Sequence, residues 1–183
     1  MKLTSSVFTH QNDIPARYTC DGENISPPLN WVEIPANAKS LVLIMDDPDA
    51  PRGTWDHWII FNLPVSINSL PEGVKELPMG TKFGKNSWGK EAYGGPCPPD
   101  KQHSYFFRLY ALDSCLELPN GVSKEQIQQT IKGKIIAKTE LIGLYARPGQ
   151  KKRLGFWERE FKTLFSYSTL ILTLYLLSLK FPY

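Results

Sequence analysis

The sequence predicts a fold built mainly from β-strands. Its 183 residues include 13 glycines and 15 prolines, which are scattered between short apolar runs rather than gathered in one segment. This spacing is typical of strands joined by tight turns and argues against a disordered chain. The length favours one domain with enough chain to bury a core.

The strands are predicted from short runs that are bounded by turn residues. Leu41–Met45 and Trp58–Leu63 are continuous apolar runs, as expected of buried strands. His103–Leu112 is rich in aromatic residues, and a period of two places His103 and Tyr105 on the same face. The other predicted strands are Leu3–Phe8, a strand continuing from the extended segment Ser26–Trp31, and Ile135–Tyr145.

One short helix is predicted between the last two long strands. Ser123 and Gln126 have the spacing of a capping box, in which each side chain bonds the other residue's backbone amide. Ile127 and Ile131 follow four residues apart, which gives the helix one apolar face. The helix is expected to run to about Lys132 and to end near Gly133.

The stretch from Leu41 to Pro64 is predicted to organise the molecule. Two prolines, Pro48 and Pro51, exclude a helix between its two strands and make the connection a stiff loop. That loop places Asp47 and His57, among other polar residues, at the ends of two strands, where functional groups are commonly found. The alternative interpretation is a solvated acidic turn with no function.

Two further segments are predicted to contribute to a site. Residues 64–90 are rich in Pro, Gly, Asn and Ser, and a surface excursion of this length in a compact domain is often functional. Tyr93–Pro99 follows, where Gly94 and Gly95 would let the backbone approach a ligand closely and three prolines stiffen the chain.

Charge and cysteine content exclude several classes of protein. Residues 1–150 carry 15 Lys and Arg against 16 Asp and Glu, so this body has no basic surface for nucleic acid. The first residues contain no apolar core of a secretory signal. Cys20, Cys97 and Cys115 are odd in number and form no CxxC pair, which favours free thiols in a reducing compartment. A cytoplasmic protein is therefore expected.

The C-terminal extension, residues 151–183, has a different composition. It carries six basic and two acidic residues, and Thr163–Leu179 is uncharged over 17 residues, near the lower limit for a membrane-spanning helix. Basic residues and Trp157 precede this run, as is typical at a membrane interface. Three interpretations stay open: a segment that contacts a membrane, a segment packed on the domain or on a second copy, and a segment without a role.

Three kinds of chemistry could use the polar residues that these strands bring together. Asp47, Asp49, His57 and His103 could hold a metal ion, although their spacing matches no established metal motif. Cys97 could act as a nucleophile with His103 as its base. We favour a pocket for a phosphate-like anion, with histidine, tyrosine and glycine amides as donors. For each histidine the simpler interpretation is a buried structural residue.

Five motifs in register resemble one known family. They are CDGENISPPLNW at Cys20–Trp31, DPDAP at Asp47–Pro51, His57-Trp58, GPCPP at Gly95–Pro99 and HSYFFRLYALD at His103–Asp113. Together they resemble the phosphatidylethanolamine-binding protein family, and within it the bacterial branch called Raf-kinase-inhibitor-like proteins. The resemblance covers residues 1 to about 147 and does not extend to residues 151–183.

The resemblance implies a β-sandwich-like fold and a small anion pocket at one end of it. The fold would have a large central antiparallel sheet, a smaller second sheet and a few short helices. The pocket would bind phosphate-bearing small molecules or phospholipid head groups, and the Ala50–Pro51 bond resembles one that is cis in relatives. The residues carried over to the pocket are Asp47, His57, Gly95, His103 and Tyr105, with Asp49, Pro51, Tyr93 and Pro96 lining or shaping it.

These observations predict a binding module and not an enzyme, without a cofactor. His57 and His103 are expected to be the main donors to the anion, with Tyr105 as a third donor and a backbone contact from Gly95. If the histidines donate as cations, affinity would fall as the pH rises through about 6.5. In eukaryotes, members of the family look like modules that act on kinases or proteases, so the resemblance also implies a protein partner of that kind. A homodimer is a separate expectation. The alternative is a hydrolase that uses a metal or Cys97 on a phosphorylated substrate.

Overall fold

The computed structural model describes residues 1–152, and Met1–Lys151 form one compact unit. The fold is mainly β, as predicted, with nine strands, one α-helix and one 3₁₀ turn in this part of the chain. The strands are β1 Lys2–Thr4, β2 Asn12–Asp13, β3 Leu29–Val32, β4 Ser40–Asp47, β5 Trp55–Leu63, β6 Ser69–Leu70, β7 Lys82–Phe83, β8 His103–Leu112 and β9 Ile135–Tyr145. The helix is α1 Lys124–Thr130, and the 3₁₀ turn is Ala16–Tyr18.

The strands form a large and a small sheet, in agreement with the predicted sandwich-like fold. The large sheet has six strands in the order β2-β9-β8-β4-β5-β7, and the small sheet has three in the order β1-β3-β6. All neighbours are antiparallel except β2 and β9 at one edge, which pair in parallel. The prediction of an antiparallel large sheet therefore holds for all but its edge pair.

The large sheet is covered on both faces. Leu41, Leu43 and Met45 of β4 belong to a core with Trp31 of the small sheet, whereas Val42 and Ile44 belong to a second core with Ile127 of α1. All eight residues of β4 are buried. Because both faces need apolar side chains, this strand is a continuous apolar run and does not alternate with polar residues.

Several predicted element boundaries differ from the structure. The opening strand ends at Thr4 and not at Phe8, and the next residue, Ser5, donates its hydroxyl to the carbonyl of Pro28. The predicted capping box of Ser123 and Gln126 is present, and the helix ends at Thr130, two residues earlier than expected. The excursion over residues 64–90 contains the short strands β6 and β7.

The long central strands bring one set of residues to the same end of the large sheet. Asp47 at the end of β4 is paired with Trp55 at the start of β5, and Asp46 is paired with Phe106 near the start of β8. The antiparallel register therefore gathers the residues that follow β4 and precede β5 and β8.

No helix among residues 1–152 has the length and apolarity that crossing a membrane requires. The predictions for the extension concern residues 153–183, which lie outside the described part.

Candidate functional site

A cavity of about 680 Å³ lies at the end of the large sheet where β4, β5 and β8 meet. Its volume is in the range of about 300 to 1,000 Å³ that is usual for small-molecule sites. Six of the nine predicted site residues line it: Asp47, Pro51, His57, Tyr93, Gly95 and Tyr105. Asp49, Pro96 and His103 do not line it. The fold therefore brings most of the predicted residues to the wall of one cavity.

His103 lies behind the cavity wall and not in it. Its side chain is fully buried, with Nδ1 2.7 Å from Oδ2 of Asp47 and Nε2 3.0 Å from Oδ1 of Asp100. Both ring nitrogens therefore already face carboxylate oxygens. In this geometry neither ring nitrogen of His103 faces the cavity, and the ring orients Asp47. The role of His103 as a main donor to the anion stays a prediction.

Asp47 is the carboxylate that lines the cavity, and two neighbours orient it. Besides His103, the backbone amide of Asp49 donates to Oδ1 of Asp47 over 2.8 Å. Burial raises the pKa of Asp47, and the hydrogen bond and charge of His103 oppose this shift. Asp49 turns away from the cavity, since its own Oδ2 accepts from the amide of Ser104 at 2.8 Å. Asp49 thus shapes the loop and leaves Asp47 as the lining carboxylate.

His57 lines the cavity as a neutral imidazole. Its Nδ1 lies 2.7 Å from the carbonyl oxygen of Gly94, and because a carbonyl only accepts, Nδ1 carries the proton. Burial lowers the pKa of His57 to about 4, with the Gly94 carbonyl opposing the shift. Nε2 is then a hydrogen-bond acceptor at neutral pH. The free protein therefore does not have His57 in the cationic form on which the pH dependence near 6.5 was conditional. The binding of an anion by His57 stays a prediction.

Two buried donors that line the cavity have no hydrogen-bond partner among the described residues. They are the hydroxyl of Tyr105 and Nε1 of Trp55. The Cys97 amide is close enough to lower the pKa of Tyr105, but it does not meet hydrogen-bond geometry. The net pKa of Tyr105 is raised, first by burial and then by the charge of Asp47, so the hydroxyl keeps its proton. Buried donors of this kind normally have a partner.

The two glycines do not offer free amides. Gly94 donates its amide to the carbonyl of His57 at 3.0 Å, and Gly95 donates its amide to Oδ1 of Asn24 at 2.8 Å. A Cβ on Gly95 would lie 2.5 Å from both Asn24 Oδ1 and the carbonyl oxygen of Tyr18. Glycine is therefore required here because the two loops pack closely. The two glycine amides thus already have protein acceptors, and the backbone contact from the Gly95 region to an anion stays a prediction.

The cavity also has basic and aromatic residues that the sequence did not single out. Arg52 and Lys90 line it, are exposed, and form no ion pair with any residue in the described range. The indole of Trp88 is edge-on to Trp55 at 5.3 Å and to His57 at 5.1 Å between ring centres. Lys90 and Trp88 belong to the long excursion over residues 64–90, whose length was the only signal that it contributes to a site.

Cys20 and Cys97, both in the cavity wall, are joined by a disulfide with their Cα atoms 5.4 Å apart. This overturns the prediction of free thiols for these two residues and removes Cys97 as a nucleophile. Spacing could not show the pairing, because 77 residues separate the two cysteines. Cys115 is a free, exposed thiol away from the cavity. The support that free thiols gave to a cytoplasmic location is correspondingly reduced.

Two other expectations can be compared with the described residues. Among residues 1–152, no three side chains of His, Cys, Asp and Glu are grouped so that they could hold one metal ion. All peptide bonds in that range are trans, Ala50–Pro51 included, so the cis bond implied by the resemblance is not present.

Comparison with known proteins shows the family of the chain. A sequence model described as phosphatidylethanolamine-binding protein matches residues 4–146. The chain belongs to the phosphatidylethanolamine-binding protein family. This covers the five motifs of the sequence and almost all of the described residues.

The relatives come from archaea and bacteria. A UPF0098 protein of Methanothermobacter thermautotrophicus is 51% identical over 150 residues, which cover 80% of this chain and 99% of the relative. A UPF0098 protein of Aquifex aeolicus is 44% identical over 152 residues, covering 80% of this chain and 89% of the relative. These names assign no enzymatic activity.

Two solved structures have the same fold. One is a chain proposed to be a phosphatidylethanolamine-binding protein homologue of Chlamydia trachomatis, with a TM-score of 0.76, 44% identity, and coverage of 80% of this chain and 97% of that chain. The other is YbcL of E. coli, described as a member of the mammalian family, with a TM-score of 0.74, 29% identity, and coverage of 79% and 96%.

Proposed function

We propose that this family member is a binding module whose cavity holds the anionic group of a phosphate-bearing ligand, such as a phospholipid head group or a phosphorylated small molecule. The observation that carries the proposal is the pair of buried donors without partners, Tyr105 Oη and Trp55 Nε1, in the wall of one cavity. Leaving such groups unpaired costs free energy, typically about 1 to 3 kcal/mol each, which a bound acceptor would recover.

The charges around the cavity favour an anion at its mouth. Arg52 and Lys90 are exposed and line the cavity, so they can attract a phosphate group and contact it. Asp47 and the neutral imidazole of His57 are acceptors deeper in the wall. They suit a hydrogen-bond donor on the ligand, such as a hydroxyl, an ammonium group or a protonated phosphate oxygen.

The hydrolase alternative loses its nucleophile, because Cys97 is in a disulfide. The predicted regulation of a kinase or protease, the homodimer, the membrane contact through residues 163–179 and the cytoplasmic location stay predictions. None of them is needed for the binding of a phosphate group by the cavity.

Calorimetric titration of the full chain with O-phosphorylethanolamine, inorganic phosphate and ethanolamine tests the proposal. We expect the two phosphate-bearing molecules to bind and ethanolamine alone not to bind. Lys90→Gln should weaken phosphate binding about threefold to tenfold at low salt, because one contact charge is lost. Lys138→Gln is the matched control, since Lys138 is exposed on β9 and does not line the cavity.

Two results would contradict the proposal. One is the absence of binding by either phosphate-bearing molecule to the folded wild-type chain. The other is equal weakening by Lys90→Gln and Lys138→Gln, which would show that only the overall charge matters and that the cavity is not the site.

A further inference from the structure

The cavity wall contains a disulfide that solvent can reach. Both Cys20 and Cys97 line the cavity; Cys97 is exposed and Cys20 is half-buried. Exposed disulfides are in general the labile ones, and a small thiol can attack a sulfur only where it can approach. The sulfur that a thiol would attack is therefore that of Cys97.

The disulfide joins two segments that build the site. One segment is Tyr93–Pro99, whose Gly94 carbonyl fixes the His57 ring and whose Cys97 amide lies beside the Tyr105 hydroxyl. The other is Tyr18–Asn24, whose Asn24 side chain accepts from the Gly95 amide. Opening the bond would release the link between the two walls at Cys97, next to the unpartnered hydroxyl of Tyr105.

Hydrogen bonds would keep the rest of the loop in place after the bond opens. The Tyr93 hydroxyl donates to the carbonyl of Tyr18 at 2.7 Å, and the amide of Cys20 donates to the carbonyl of Pro96 at 3.1 Å. The side chain of Gln150 donates to the carbonyl of Pro98 at 2.8 Å. The reduced protein should therefore stay folded, and its cavity should persist with an altered wall.

We propose that the Cys20–Cys97 disulfide is a redox site that controls the anion affinity of the cavity, and that its reductant is a small anionic thiol of the glutathione type. This inference rests on the proposed function of the cavity. The thiolate attacks Sγ of Cys97, the Cys20–Cys97 bond breaks, and Cys20 leaves as a thiolate that takes up a proton. A second thiolate then attacks the mixed disulfide, so that Cys97 is released as a thiol and the reductant leaves as its own disulfide.

The residues around the cavity favour an anionic reductant. Arg52 and Lys90 line the same cavity as the two sulfurs, so they would attract the carboxylates of glutathione. Cations near a cysteine also favour its thiolate form, which is the leaving group in the first step. The same two cations serve the phosphate in the proposed function, so the thiol and the phosphate would compete for this region.

Thermodynamic linkage gives the inference a quantitative consequence. If reduction lowers the affinity for an anion by some factor, saturating anion must lower the equilibrium constant for reduction by the same factor. Typical couplings between two sites correspond to about 5-fold to 150-fold. A disulfide that only stabilises the fold, without influencing the cavity, would show no such dependence.

The experiment uses the full chain carrying Cys115→Ser, which removes the third thiol but leaves the cavity unchanged. Its disulfide is titrated with mixtures of reduced and oxidised glutathione, with and without saturating inorganic phosphate, and thiols are counted after acid quenching. Phosphate affinity is measured by calorimetry on the oxidised and the reduced protein. We expect glutathione to reduce the bond, phosphate affinity to fall at least fivefold, and phosphate to oppose reduction by the same factor.

Variants and outcomes separate this inference from the proposed function. Cys97→Ser should have the affinity of the reduced protein; near-ultraviolet circular dichroism of the reduced wild type, recovered on reoxidation, checks folding independently. Equal phosphate affinity in both redox states would overturn the inference while the proposed function stands. Reduction by excess dithiothreitol but not by glutathione would also overturn it, as would unfolding on reduction. No phosphate binding by the oxidised protein would overturn the proposed function and the inference together.

Discussion

One end of the large sheet carries polar groups on both faces. The two faces differ in whether these groups have partners in the protein. On the cavity face, Tyr105 and Trp55 have buried donors without partners among the described residues. On the opposite face, the buried carboxylates of Asp46 and Asp56 both contact the ammonium group of Lys124, which is 3.3 Å from Oδ2 of Asp46. Adjacent residues of one strand, Asp46 and Asp47, therefore belong to unlike environments.

The difference shows which polar residues stabilise the fold and which are left for a ligand. Arg108 adds a second cation to Asp46 and lies 3.7 Å from Glu140, so the opposite face is a network of paired charges. A network of this kind is internally satisfied. On the cavity face, the corresponding paired groups lie behind the cavity wall, where the ring of His103 contacts the carboxylates of Asp47 and Asp100.

The largest effect should come from breaking the network on the opposite face. Lys124→Met leaves Asp46 and Asp56 buried without their shared cation, and we expect the free energy of unfolding to fall by about 3 to 5 kcal/mol. Urea denaturation measures this, with Lys138→Met, a change at an exposed residue of β9, as the control. A loss below about 1 kcal/mol would mean that the paired network does not stabilise the fold.

The next effect is the pH dependence that His57 gives to stability. The pKa of His57 is about 4 in the folded protein, against the ordinary histidine value of about 6.5 in the unfolded chain. Between these values the unfolded chain binds a proton that the folded protein does not. Stability from this residue is therefore present above pH 6.5 and lost as the pH falls, by about 3 kcal/mol at pH 4.

Urea denaturation from pH 4 to 7 tests this, because His57→Gln should remove that part of the slope. His10→Gln, a change at an exposed histidine that does not line the cavity, is the control for the loss of a histidine. The same slope in His57→Gln as in the wild type would show that His57 is not held neutral by the fold. Phosphate affinity should not fall through pH 6.5 on account of His57, contrary to what cationic donation predicted.

The sequence was most informative for elements whose structure depends on residues close together in the chain. The continuous apolar runs of β4 and β5, the alternation of β8 and the Ser123 capping box were predicted because each depends on neighbouring residues. His57 and His103 looked alike in sequence, and only the fold shows that His103 is enclosed by Asp47 and Asp100. The pairing of Cys20 with Cys97 likewise depends on contacts between distant segments.

The central claim is that the hydroxyl of Tyr105, which has no partner among the described residues, binds the ligand and does not stabilise the fold. Tyr105→Phe tests this claim most directly. Tyr110→Phe is the matched control, because Tyr110 is on the same strand but does not line the cavity. Both variants are measured for urea stability and for calorimetric affinity toward O-phosphorylethanolamine.

We expect Tyr105→Phe to leave the free energy of unfolding unchanged or slightly higher, since no hydrogen bond of the free protein is lost. Its affinity should fall about tenfold or more, the usual effect of losing a hydrogen bond to a charged group. Tyr110→Phe should keep wild-type affinity. Unchanged affinity in a folded Tyr105→Phe protein would contradict the account.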